Sequence, residues 1–542
     1  MFYNRKNRSE HSWKERATHM KRVRKTIDGF LLYVPTWIAA FCTVFMLCII
    51  PLYFDDAFFN INRCKVELVR AFMPVICVAM LAASAINWLR KKERYQPPYA
   101  PDGAMALFLL ACIVSCAYAG FSENVMEGTQ GRSLGLWLML CCCGAYYVIG
   151  LGKLNGRALT VLILICAGAC AFLGILNGAG IDPLGFYKGI KKGQEETFLS
   201  TIGHFDFFGT YLIVMFGLAS GGYVFGKKAV ARMAAAICAI ILALGMAISR
   251  TDSALLGMNL VCLSIISQSG DDYVKMARAA SLWSVCFAVL PVARAIAAAS
   301  VYKPQFTGLP LLLCETHAAS ILTAVLLVFA MLFMMLYKKG YRVLGRKVLL
   351  KTVFALTALA VVILIAMMVW FTVVDKTADL GSMASFLRFD DMWGSVRGFV
   401  YKRSLRAFGD FSWKEKLFGR GLGTTLTTLT PYFDNQTAIE VAGGVFNDCH
   451  CQPLQILLTC GICGTLAFVA FYISMLTTIL KRMKNDALLN GVFAALIGYI
   501  AIMMFNVVQP ILVMTYFSVC GLGVSRIRYL AKVKKEGVHH ES

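Results

Sequence analysis

The stretch FNDCHCQPLQILLTCGICG, residues 446–464, gathers Cys449, His450 and Cys451, then Cys460 and Cys463 at CxxC spacing. Two chemistries use such residues. Four converging thiolates and imidazoles hold zinc, whereas a single imidazole moves protons near neutral pH. The apolar run that begins at Pro453 bears on the choice, because it carries Cys460 and Cys463 into a membrane-spanning helix. There a four-ligand site and its supporting hydrogen bonds are hard to assemble, and cysteine acts as a small hydrophobe. No metal site and no cofactor are therefore expected. Cys449 and Cys451 are expected outside the membrane and open to disulfide formation, with Cys64 one candidate partner, but spacing fixes no pairing.

A second group of residues is cationic. Arg388, Arg397, Lys402, Arg403, Arg406, Lys414, Lys416 and Arg420 crowd one polar segment. Guanidinium forks match phosphate oxygens, so a phosphorylated substrate is one reading. A solvated basic surface against anionic lipid headgroups is the other. Helical spacing over 392–409 places Lys402, Arg403 and Arg406 on one side. Val396, Val400, Tyr401, Leu405 and Phe408 fall on the other side, with Phe399 as an exception on the basic side. The pattern predicts an amphipathic helix near the membrane surface. Arg397 falls among the apolar residues, where solvation does not explain it. Arg250, in SRTDSALLG (249–257), is a cation held between two apolar runs with almost no loop. It needs a partner, a wet cavity or a route to the interface. FLSTIGHFDFFGTYL (198–212) adds Ser200, Thr201, His204 and Asp206 at the start of another apolar run, where an ordinary helix cap is the plainer reading.

The elements that must position these residues are membrane helices. The chain has 542 residues, is 58% hydrophobic and only 15% charged, too apolar for a soluble core of this size. Fourteen spans are expected, at about 30–54, 69–89, 103–119, 133–151, 158–177, 208–225, 233–249, 253–268, 280–298, 312–337, 352–372, 453–480, 487–505 and 510–524. The fold class is all-α and polytopic, with one long outer loop containing short amphipathic helices. Residues 1–29 form a basic cytoplasmic N-terminus, 30–372 the first eleven helices, 373–452 the large outer loop, 453–524 the last three helices, and 525–542 a basic cytoplasmic tail. The first apolar run has no cleavage site after it and is kept as a helix. Most of the 53 lysines and arginines then fall in short inner loops and the termini, as the positive-inside rule requires. The net charge of +23 is thereby a membrane feature, and no nucleic-acid partner is expected. The sequence shows no internal repeat, Walker-type loop, HExxH motif or soluble catalytic domain.

Four segments, taken in order, resemble the O-antigen ligase and polymerase superfamily. STIGHFDFFGTYL (200–212) is similar to the family pattern STFGNxNFxxxYL, and SRTDSALLG to SRgaxlG. RGFVYKRSLRAFGDFSWKEKLFGRGLGT (397–424) matches an arginine, a basic helix and a glycine-rich FGxGxGT. HCQPLQILLTCGICG (450–464) matches HNxYLQxLxxxGxxG. The resemblance covers roughly residues 198–480. His204 and Asp206 stand where the family has asparagines, and Cys451 follows His450 where it has Asn. The CxxC cysteines fall at positions that are ordinarily small or apolar.

The resemblance implies a bacterial plasma-membrane enzyme with both termini cytoplasmic. It moves a glycan from an undecaprenyl-pyrophosphate-linked oligosaccharide donor to a hydroxyl on a glycan or glycolipid acceptor, among membrane lipids, without metal. Arg250 and Arg397 are the expected pyrophosphate binders. Arg388, Arg403, His204 and Asp206 are further substrate contacts. His450 is the expected base and Asp448 its orienting partner; Asp448 or Glu440 is next in line as base. Ligase and polymerase share the donor and differ in acceptor. A flippase or other transporter is the competing class, opposed by the missing repeats and the arginine-rich loop.

Overall fold

The computed structural model describes residues 30–90, 98–129, 131–343, 345–433, 446–535 and 537. The basic stretch 1–29, Glu440 and most of the tail beyond Lys535 lie outside the described residues. The protein is all-α and polytopic. Among the described residues the sheet content is one hairpin, Phe198–Leu199 paired antiparallel with Gly203–His204.

Among the described residues twelve helices are long and apolar enough to cross a membrane: α1 (Phe30–Leu52), α2 (Ile61–Leu89), α3 (Ala100–Tyr118), α5 (Arg157–Gly178), α6 (Phe205–Phe225), α7 (Ala229–Ile248), α9 (Tyr273–Ala299), α10 (Ala318–Lys338), α11 (Arg346–Val374), α12 (Gln452–Leu480), α13 (Ala487–Phe505) and α14 (Pro510–Lys535). Two of the expected fourteen, α4 (Leu136–Leu151) and α8 (Asp252–Gln268), are shorter, at 16 and 17 residues. At 1.5 Å per residue they reach about 24–26 Å, less than a hydrocarbon core of about 30 Å.

Several spans run past their apolar stretch, α9 from Tyr273 and α11 from Arg346 among them, and in two others buried cations are the reason. The helix expected over 69–89 starts at Ile61, because Lys65 is buried and donates hydrogen bonds to the carbonyls of Tyr53 and Thr201. The helix expected over 510–524 continues to Lys535, because Arg526 and Arg528 find carboxylates inside the protein.

Helix α14 is buried along its apolar length and packs chiefly against α4, with α6 and α13 also touching it. Gly217 and Gly221 on α6 let α13 approach closely: a Cβ at Gly221 would lie 2.4 Å from Gly491 Cα, the small-residue contact that membrane helices use. The rim is formed by α10 and α11, whose apolar side chains are largely exposed. Lys532 lies 5.9 Å over the Tyr33 ring, so the start of α1 and the end of α14 share one end of the bundle, here the terminal end. The described parts of the segment between α11 and α12, 375–433 and 446–451, sit at the other end, where Tyr401 and Arg397 reach the last carbonyls of α13. It has its own small core: Phe399, Val400, Ala407, Phe411, Leu429 and Phe433 pack on Cys449, Leu454 and Leu458.

Candidate active site

The hairpin at 198–204 delivers His204 to the first position of α6. Its Nδ1 accepts the Asp206 N–H at 3.2 Å, an N-cap bond that leaves Nδ1 unprotonated. Burial lowers the His204 pKa, and Arg132 and Arg250 push the same way against Asp206. The Asp206 carboxylate is 3.7 Å from that ring. It lies within electrostatic range of both Arg250 and Arg397, though each arginine makes its direct bonds elsewhere, Arg250 to Glu196 and Arg397 to the end of α13.

Arg250 occupies the short link between α7 and α8 with φ of 60°. Thr251 accepts the Ala254 N–H and so starts α8 immediately after it. The Arg250 side chain is 9% exposed and pairs with the Glu196 carboxylate at 3.2 Å. It also donates to the Glu196 carbonyl at 2.8 Å and the Gln305 carbonyl at 3.1 Å. Burial pulls the guanidinium below its ordinary pKa and Glu196 partly restores it. Its head forms one wall of a narrow cleft with Asn177, Glu196, Ser300 and Tyr302.

The helix Trp393–Gly409 departs from the expected amphipathic surface helix. Gly394, Ser395 and Val396 all have positive φ, so the regular helix begins at Arg397. Phe399, Val400, Ser404 and Ala407 are buried while Leu405 is 55% exposed. The apolar face was misplaced because small Ser404 and Ala407 allow close packing on Cys449 and the start of α12, which hydropathy alone does not register. Arg403 stacks on the Phe399 ring at 3.3 Å and meets Asp391 at 3.5 Å. Arg397 donates to Phe505 O at 2.6 Å and to Gly394 O, and Tyr401 Oη donates to Met504 O at 2.6 Å. Cation and phenol thus cap the C-terminus of α13, where helix carbonyls lack internal donors. Arg388 is not brought to this group; it bonds the carbonyls of Phe371 and Ala378.

His450 sits two residues before α12 in a left-handed conformation, φ 52°. Its N–H donates to Asp448 Oδ1 at 2.7 Å, and its carbonyl accepts from Tyr401 Oη at 3.0 Å. Its Nδ1 is 3.3 Å from the Asp448 carbonyl. A carbonyl only accepts, so this contact selects the Nδ1–H tautomer and leaves Nε2 as the acceptor. Burial and then Arg397 lower the imidazole pKa to about 4. Asp448 is 1% exposed, and burial raises its carboxyl to about 6 against the pull of Arg132.

Arg132 was missed in the sequence, where it reads as one of many loop cations next to a span. Its Nε donates to Asn447 Oδ1 at 2.8 Å. It acts electrostatically on His204, Asp448 and His450 together. Asp252 at the start of α8 was also missed; its Oδ1 accepts Leu309 N–H at 2.8 Å and it senses Arg397 and Asp206.

The glycine-rich GRGLG, 419–423, is a plug rather than a phosphate loop. Helix α12 is broken at Gly461 (φ 66°), and Arg420 N–H and Gly421 N–H fill the freed carbonyls of Leu458 and Thr459. A Cβ at Gly419 would lie 2.2 Å from Thr459 O. The opening cysteine stretch is divided. The Ser404 hydroxyl meets the Cys449 thiol, Cys460 faces Cys112 at 3.9 Å, and Cys463 is exposed. All 20 cysteines are free thiols, with the Cys64 thiol turned to the Ile61 carbonyl.

These features define a class: a polytopic helical membrane protein in which the segment between α11 and α12 gathers arginines and a half-buried histidine at one end of the bundle. The C-terminal half narrows this further. Residues 306–469 match the family described as O-antigen ligase, which supports membership of the O-antigen ligase/polymerase superfamily. The match takes in Arg388, Arg397, Arg403, Asp448 and His450. No curated protein matches the chain. The family and the apolar helices together support a ligase- or polymerase-type membrane glycosyltransferase that uses a lipid-linked glycan donor and a glycan acceptor.

Proposed function

We propose that the protein transfers or polymerises a glycan from an undecaprenyl-pyrophosphate carrier onto a hydroxyl acceptor at the outer face of the bacterial plasma membrane, with both termini cytoplasmic. The observation that carries this is a histidine, His450, whose Nδ1 lies 3.3 Å from the Asp448 carbonyl and whose ring feels the charge of Arg397. An imidazole held neutral, with Nδ1 on a carbonyl, keeps Nε2 able to take a proton. In the proposed step the acceptor hydroxyl gives its proton to Nε2 of His450 as its oxygen bonds to the anomeric carbon. The carbon–oxygen bond to the pyrophosphate breaks, and the electron pair leaves with the pyrophosphate. Fixed guanidinium groups stabilise that charge; Arg250 and Arg397 are assigned this role. His204 and Asp206 are assigned as substrate contacts, and Arg403 and Arg388 as further ones, with Arg388 the weakest because carbonyls already hold it.

The pKa of about 4 makes a weak base in the empty site. Binding of an anionic pyrophosphate beside Arg397 offsets the charge that depresses it and moves His450 toward the operating pH. The reaction is proposed to need no metal, and activity is expected to survive a chelator; loss restored by one divalent ion overturns that part. The test of the whole reading is reconstitution of the full chain in liposomes with a defined undecaprenyl-pyrophosphate oligosaccharide. Gel analysis should show a ladder of lengthened chains for a polymerase or a single glycosylated acceptor for a ligase. Unchanged donor under all conditions sinks it.

A further inference from the structure

Cations at the loop end of the bundle differ in how fully they are neutralised. Arg250 is ion-paired with Glu196 at 3.2 Å. Arg132 and Arg397 have no carboxylate within 4 Å among the described residues. Arg397 is occupied by two carbonyls. The Arg132 side chain makes one hydrogen bond among the described residues, from Nε to Asn447. That bond fixes the guanidinium by its inner nitrogen and leaves its outer edge, the two terminal nitrogens, for another acceptor. This edge matches two oxygens of one phosphate.

The backbone holds Arg132 ready. Its turn is closed by Arg132 N–H and Ser133 N–H to the Thr129 carbonyl, at 3.0 and 3.1 Å. Gly128 and Gly135 press together so tightly that a Cβ on Gly135 would lie 2.4 Å from Gly128 N. Gly423 of the plug packs against the same turn, with its Cβ position 3.0 Å from Gly128 Cα. The element that fills the break in α12 therefore also sets the place of Arg132. Through Asn447, Arg132 stands next to Asp448 and His450, and Arg397 acts on the same imidazole. Hydrogen bonds tie both arginines to the His450 segment: Arg132 holds Asn447, and Tyr401 joins the His450 carbonyl to that of Met504, next to the Phe505 carbonyl that Arg397 holds.

We propose that Arg132 is a direct phosphate ligand of the donor, gripping its pyrophosphate together with Arg397 over His450, while Arg250 is the lesser contact because Glu196 already holds it. This rests on the glycosyltransferase reading above and deepens it. Arg132 lies outside the matched segment 306–469, and nothing in the sequence motifs marks it.

Inorganic pyrophosphate is the probe. The full chain in nanodiscs is treated with phenylglyoxal, which modifies accessible guanidinium groups, with and without pyrophosphate, and labelled residues are located by mass spectrometry. Pyrophosphate should protect Arg132 and Arg397, while Arg63, whose side chain is 70% exposed, labels equally in both. In parallel, Arg132→Gln should weaken pyrophosphate binding about tenfold to a hundredfold, the span of a lost charged hydrogen bond. Arg132→Lys should recover part of it, and Arg250→Gln should cost less than Arg132→Gln. Equal labelling of Arg132 with and without pyrophosphate, or wild-type binding by a folded Arg132→Gln protein, overturns the proposal. If Arg132→Gln does not fold, the labelling of the wild-type chain decides. Wild-type turnover of the lipid-linked glycan is scored separately. Turnover without Arg132 protection rejects this inference alone; protection without turnover supports it as an anion site and rejects the glycosyltransferase reading.

Discussion

The two ends of the helical bundle bury arginine in opposite ways. At the terminal end Arg526 gives two bonds to Asp486 Oδ2, at 3.0 and 2.7 Å, and two more to Asn155. Arg528 meets Asp102 at 2.7 Å, and Tyr146 donates to the other oxygen of that carboxylate at 2.9 Å. Each of these charges is matched by a carboxylate. At the loop end Arg132 and Arg397 have no carboxylate within 4 Å among the described residues. Matched charge is what a structural site needs. Unmatched charge is costly to keep, and the anionic donor proposed above would complete it.

This contrast can be broken from either side. The largest effect is expected at the loop end. His450→Ala should cut turnover by about 10²–10⁴-fold with donor binding near normal, the range for a lost general base. If donor affinity collapses instead and the pH profile is unchanged, His450 is a phosphate contact, and the base is Asp448 or Glu440. The next effect belongs to the terminal end. Asp102→Asn leaves Arg528 buried without its partner and should destabilise the protein by about 3–5 kcal/mol in detergent melts, while the double change Asp102→Leu with Arg528→Met should cost far less. Arg397→Met should do the reverse, abolishing activity at little cost in stability. Comparable losses of stability at both ends would erase the distinction.

A smaller structural effect is expected at the plug. Gly419→Ala forces a Cβ onto the Thr459 carbonyl at a residue with φ of 78° and should cost about 1–3 kcal/mol, read as lower folded yield. The smallest effect is a tilt in pH dependence. The His450 pKa falls from 6.5 to about 4 on folding, so between those values the unfolded chain binds the extra proton and stability rises with pH. Asp448 rises from 3.8 to about 6, so over that window the folded chain binds the extra proton and stability falls as pH rises. The two nearly cancel in the wild type. Asp448→Asn should expose a stability that climbs from about pH 4 to 6.5, and His450→Gln one that declines from about pH 4 to 6. Parallel slopes in the two variants would show that these groups do not titrate as their surroundings imply.

The apolar runs by themselves determined the all-α, polytopic fold, because a bilayer demands about 20 apolar residues per crossing and leaves no unpaired backbone. They also marked off the long polar segment expected at 373–452, and charge set among apolar runs singled out Arg250 and Arg397, while His450 was singled out by the family resemblance. The helix ends at Ile61 and Lys535 escaped them, since Lys65, Arg526 and Arg528 read as polar stops until their buried partners are known. The rotation of the helix Trp393–Gly409 escaped them too, because Ser404 and Ala407 are small rather than hydrophobic. Which arginine is neutralised and which is left open was decided only by tertiary structure: Glu196 reaches Arg250 across 54 residues, and Asn447 reaches Arg132 across 315. Charge pairing depends on distance in space, and a linear pattern carries that information only within a helix turn or two.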